Sequence, residues 1–146
     1  CLNWEISDVA IVNKIIDGIY VGRFKEIQEM TGGDQDLITM SVFVESVRRG
    51  HEDSLKLLKQ IGGFMGDAMG MLVNIFAPKK IVLFGELAEI GDLLLDQVRE
   101  IVRQDTIEEN SEHLEIVASE FGRNLGAIGA AALVMQDAFE FVDEKI

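Results

Sequence analysis

The chain has 146 residues, with 13 Lys and Arg against 26 Asp and Glu, a formal net charge of −13 and a hydrophobic content of 48%. That size supports one domain, 1–146, with a sizeable core. The acidic balance argues against nucleic acid as a partner of this segment, since phosphate affinity comes from clustered Lys and Arg; no apolar run reaches the roughly 20 residues a membrane-spanning helix needs, and no signal peptide is visible.

The first residue, Cys1, is the only cysteine, so no intrachain disulfide forms and a reducing, cytoplasmic setting is the default. The chain passes straight into Leu2-Asn3-Trp4 with no flexible leader, and the start is expected to be a cut through a larger protein. Ser7-Asp8 reads as a helix N-cap. Val9, Val12, Ile15, Ile16 and Ile19 follow as an apolar stripe, weakened by Gly18 and Gly22. A second short helix is predicted around Phe24, Ile27, Gln28 and Met30, and Thr31-Gly32-Gly33-Asp34 reads as a loop. Thr39 caps a helix with Val42, Phe43 and Val47 inward, ended by Gly50.

His51-Glu52-Asp53 opens a long helix through Leu55, Leu58, Ile61, Met65, Met69, Leu72 and Phe76, stopped by Pro78. Its methionines read as core filler. Gly62, Gly66 and Gly70 recur every four residues within it. Each costs about 1 kcal/mol relative to alanine, so the close approach of another helix or strand is expected there. The run Ile81–Phe84, four apolar residues between Lys79-Lys80 and Gly85, predicts a strand buried on both faces. A helix over 91–104 follows, with Leu93, Leu94, Gln97, Val98, Ile101 and Val102 at helical spacing. A polar connection leads from Asp105 to His113, a second strand covers 114–119, and Phe121–Asn124 turns into a last helix. Its first turns are small (Gly126, Ala127, Gly129, Ala130 to Ala132) and suit close contact with a sheet or a ligand.

The order is mainly helical over 1–78, then β-α-β-α over 79–146. The strands are expected to run parallel with a right-handed crossover. Two strands make too small a sheet to stand alone, so further strands are expected from elsewhere. A strand that ends in glycine before a helix is where open α/β sheets place their ligands.

The pattern resembles the C-terminal part of the ROK family of sugar kinases and sugar-responsive repressors (the NagC/XylR type). Cys1 to Ile11 is similar to the end of the family's zinc motif and its next helix, commonly Cys-Leu-Glu-Ala-Tyr-Ala-Ser. Thr39 to Gly50 and Asp53 to Gly66 resemble its Arg-Gly-rich turn between helices. Leu72 to Pro78 and Lys80 to Asp92 resemble the helix and strand leading to its nucleotide-side turn, and Gly126 to Ala132 its closing helix. The resemblance implies an α/β fold, the C-terminal lobe of an actin-like ATPase (ribonuclease H-like) architecture, helix-rich with a parallel β-α-β unit. The family's catalytic aspartate, N-terminal phosphate loop and Glu-x-Gly-His motif all lie upstream of its third cysteine.

The resemblance also proposes sites. Cys1 falls on the last ligand of a His/Cys₃ zinc set, one donor of the four that structural zinc takes. Asn3 stands where the kinases carry a glutamate that accepts sugar hydroxyls; an amide both accepts and donates, and the bland alternative is a surface residue before the helix. Gly85 and Glu86 form the nucleotide-side turn. The kinases have two or three glycines here, whereas Phe84-Gly85-Glu86 adds bulk and negative charge that oppose ATP. His51, His113, Glu108-Glu109 and Asp143-Glu144 read as solvated groups.

The implied function is the effector-binding and dimerisation part of a sugar-responsive repressor, a homodimer with a small-molecule sugar as effector. DNA would be held by an absent N-terminal domain. The alternatives are the C-terminal half of an ATP- and Mg-dependent sugar kinase, of glucokinase or N-acetylhexosamine kinase type, and a scaffold for folding and dimerisation.

Overall fold

A computed structural model of the chain describes residues 1–121 and 125–143, with side chains as far as residue 136. Residues 122–124 of the expected turn and the Asp143-Glu144 side chains lie outside the described residues. Leu2–Ile6 forms a short helix, α1, that sequence periodicity is too brief to announce. The Ser7 hydroxyl accepts from the Ala10 amide at 3.3 Å and starts α2, Asp8–Tyr20. That helix buries Ile11 and Ile15 and leaves Val9 exposed, so its inner stripe is rotated from the predicted one. Helix α3 (Lys25–Met30) and a 3₁₀ turn at Gln35–Leu37 lead to α4, Met40–Arg48, capped as expected by Thr39.

The long helix, α5, spans Glu52–Phe76. It buries Leu57, Leu58, Ile61, Met65, Met69 and Val73, while Leu72 and Phe76 from the predicted stripe face solvent. Ala77 takes a left-handed φ of 43° just before Pro78, which breaks the helix. Strand β1 (Lys80–Leu83) and a 3₁₀ turn at Glu86–Ile90 precede α6, Asp92–Asp105. The expected polar connection holds a short helix, α7, at Glu108–Ser111. Strand β2 covers Glu115–Ala118, and α8 covers Leu125–Asp143.

The two strands pair in parallel, with Ile81 opposite Ile116 and Leu83 opposite Ala118. The expectation of a strand buried on both faces is corrected. Ile81 and Leu83 pack against the core, but Lys80 and Val82, on the opposite face, are exposed, because the described residues cover only one face of the strand.

The glycines of α5 explain its main packing partner. A Cβ on Gly62 would meet Gln97 Oε1 at 2.5 Å, one on Gly66 would meet Ile101 Cβ at 2.7 Å, and one on Gly70 would meet Asp105 Cβ at 3.4 Å. Their absent side chains let α6 lie against α5, so Leu94, Val98 and Val102 become fully buried or nearly so. Asn74 closes the far end of this seam. Its amide donates to the Asp105 carbonyl at 3.0 Å and accepts from the Ile107 amide at 3.1 Å. The small residues of α8 behave differently: among the described residues, a Cβ on Gly126 or Gly129 would meet nothing within 4 Å. No helix among the described residues is long and apolar enough to cross a membrane.

Candidate functional site

Gly85 ends β1 with φ 98° and ψ −176°, a backbone conformation that an L side chain rarely adopts. Open space surrounds the position of its missing Cβ, so conformation rather than close approach requires the glycine. Its carbonyl accepts from the Ala88 amide at 3.1 Å, which closes the 3₁₀ turn. Arg48 of α4 fixes the other end of that turn by donating to the Glu89 carbonyl at 2.7 Å. Ile90 is buried beneath it.

This turn borders a cavity of about 310 Å³, with the α1–α2 corner (Ile6, Asp8) on one side, Met65 of α5 below and Phe84 to Ala88 on the other. Phe84 is 62% exposed. Two carboxylate residues, Asp8 and Glu86, line the cavity, and among the described residues no Lys or Arg does. A triphosphate gains its strongest contacts from cationic donors and metal-bridged oxygens; this lining supplies neither cations nor a glycine-rich backbone. Among the described residues, this lining does not fit a triphosphate.

Asn3 lies on α1 and is exposed. It borders a larger groove of about 810 Å³ along α2, with Trp4, Asn13, Lys14 and Asp17 among the lining residues. The structure thus places the predicted site residues in two neighbouring cavities that share the α1–α2 corner: Asn3 in the α2 groove, Gly85 and Glu86 at the end of β1. Lys14 fastens that corner. Its ammonium pairs with the Glu5 carboxylate, donates to the Glu5 carbonyl at 3.1 Å, and stands 5.5 Å from the centre of the Phe64 ring on α5.

Cys1 is exposed at the N-terminus of α1. Among the described residues no group of three or more His, Cys, Asp or Glu is placed to hold a metal ion. With one donor where a tetrahedral site needs four, the set present does not fit zinc. His113 and Glu108-Glu109 are exposed as expected, but His51 corrects the solvated reading. Its Nδ1 lies 2.9 Å from the Ser46 hydroxyl, which is itself 2.7 Å from the Ser54 hydroxyl. Both serines are buried, so the imidazole closes a polar chain at the α4–α5 corner.

Sequence reasoning missed Asp8 and Met65 at the turn, and Trp4, Asn13 and Asp17 beside Asn3. The spacing of Asn13, Lys14 and Asp17 puts them on one helical face, which was the available signal; their convergence on α1 depends on the angle at Ser7.

Comparison with known proteins places this geometry. The ROK family model matches residues 1–137. The DNA-binding transcriptional repressor Mlc of Escherichia coli (strain K12) is 23% identical over 129 residues, which cover 88% of this chain and 31% of Mlc. A ROK family glucokinase from Streptomyces griseus, solved in complex with glucose and AMPPNP, superposes with a TM-score of 0.78 at 23% identity, over 91% of this chain and 44% of that one. A ROK family transcriptional regulator described as a homolog of Escherichia coli Mlc gives 0.70 at 19% identity, over 81% and 28%. The chain spans about a third of the length of the curated relatives it matches. These likenesses show the fold: the helix-rich C-terminal lobe of the actin-like ATPase architecture, with its parallel β-α-β unit.

Proposed function

The chain belongs to the ROK family, and from that membership we propose that it is the C-terminal effector-binding and dimerisation part of a sugar-responsive transcriptional repressor. The observation that carries this reading is the lining of the cavity at Gly85: two carboxylates, an exposed phenylalanine and, among the described residues, no cation. Such a wall repels the polyphosphate that a kinase must hold. The relatives named as repressors support the same reading.

In this reading Asn3 hydrogen-bonds sugar hydroxyls through its amide, and Cys1 is one donor of a zinc set completed by residues upstream. The sugar favours one angle between this lobe and its mate, and a homodimer carries that population shift to an N-terminal DNA-binding domain. The protein acts in the cytoplasm, and DNA does not touch this acidic segment. A second reading, the C-terminal half of an ATP- and Mg-dependent sugar kinase, is favoured by the likeness to the glucokinase.

Titration of the full-length protein with ATP and Mg²⁺ by calorimetry separates the two. The repressor reading expects no saturable ATP binding at micromolar concentrations, together with a shift in melting temperature on adding the cognate sugar. Micromolar affinity for ATP overturns it.

A further inference from the structure

The groove beside Asn3 is larger and longer than one pyranose ring requires. At about 810 Å³ it lies in the upper part of the range of small-molecule sites, roughly 300–1,000 Å³. Its floor follows α2 from Ala10 through Asn13 and Lys14 to Asp17, all on one face; at 1.5 Å per residue that is about 10 Å of helix.

Its chemistry is that of a carbohydrate site with an aromatic wall. Trp4 is 79% exposed and lines the groove next to Asn3, offering a flat ring whose electron-rich face accepts the C–H side of a sugar. The side chains of Asn3, Asn13 and Asp17 make no hydrogen bond among the described residues. Two amides that donate and accept, with one carboxylate that accepts, match a ligand rich in hydroxyls. Lys14, the only cation of the lining among the described residues, is already held by Glu5. That leaves the charge of Asp17 on a chain of net −13, which disfavours an anionic ligand such as a phosphorylated sugar.

We infer that this groove binds a neutral saccharide of more than one ring, with Asn3 holding the first ring and Trp4 stacking on the second. The inference rests on the sugar reading of Asn3 given above. The test uses the full-length protein and pairs of probes: glucose against cellobiose and maltose, xylose against xylobiose, N-acetylglucosamine against chitobiose. Binding is read by calorimetry and by quenching of indole fluorescence, with Trp4→Phe identifying the contribution of Trp4 to the signal.

One disaccharide is expected to bind about tenfold more tightly than its monosaccharide, the size of one aromatic contact. Trp4→Ala removes that preference and Trp4→Phe keeps most of it, with melting temperatures unchanged because the indole is outside the core. Equal affinity for both members of every pair overturns the inference and leaves the sugar reading standing. Failure of every saccharide to bind overturns both. Preference for a sugar phosphate also overturns it. So does a Trp4→Ala variant whose sedimentation changes while its saccharide affinities do not, because Trp4 then faces protein.

Discussion

Phe24 has a left-handed φ of 51°, which costs a bulky residue free energy, and yet it is only 2% exposed. Two partners, one near in sequence and one distant, hold it there. Asp53, at the start of α5, accepts from the Phe24 amide at 2.9 Å and from Arg23 Nε at 3.3 Å, and Gly18 leaves room for the ring, which a Cβ would meet at 2.5 Å. The Phe24 amide is the main reason that the Asp53 carboxyl lies below its ordinary value of 3.8, with Arg23 assisting against partial burial. A lowered folded pKa means that the stabilisation is complete above 3.8 and is lost as the pH falls through the folded value. Asp53→Asn is therefore expected to cost about 1 kcal/mol near neutral pH, discounted for a side chain 25% exposed. Urea midpoints of the variant and the parent should converge in strongly acidic solution. A gap that stays constant with pH would show that charge has no part in the cap. Gly18→Ala drives a methyl into the Phe24 ring and is expected to cost about 1–3 kcal/mol by the same measurement.

At the level of elements, the α5–α6 seam makes a paired prediction. Gly66→Ala places a methyl against the branched Cβ of Ile101 and is expected to destabilise by about 1–3 kcal/mol. Gly63→Ala, one helical face away with nothing within 4 Å, is expected to stabilise by up to about 1 kcal/mol through helix propensity alone. Thermal unfolding of the two variants reads both signs. The four-residue glycine repeat was legible in the sequence as a contact face; that α6 fills it was not, because the chain returns through β1 before the helices meet. Both strands and the long helix were readable within one or two residues from apolar runs and from Pro78. Helix α1 was not: five residues carry no periodicity, and its hold on the fold comes from Lys14, nine positions after Glu5, and from packing against α5. The turn at Glu86–Ile90 was hidden because Gly85 and Gly91, both at positive φ, read locally as loop ends. Asn3 and Gly85 were singled out through family likeness, whereas the groove that Asn3 shares with Trp4 and Asp17 forms only once α1 folds back on α2.

Across the whole molecule, the two-stranded sheet leaves Val82 46% exposed and Phe84 beside it, with Leu133, Val134 and Met135 of α8 also exposed. Apolar surface of this kind normally meets a partner. Residues 1–146 produced alone are expected to self-associate at micromolar concentration, and Phe84→Lys to move the sedimentation profile toward monomer. A monodisperse parent monomer would contradict this. The length of α5 has one more consequence. Its 25 residues extend about 37 Å, and along them it touches α1, α4, α6 and α7. The helix that carries Asn3 and the far side of the lobe are therefore joined through one continuous element. A displacement of α5 is expected to be shared by all four of these helices.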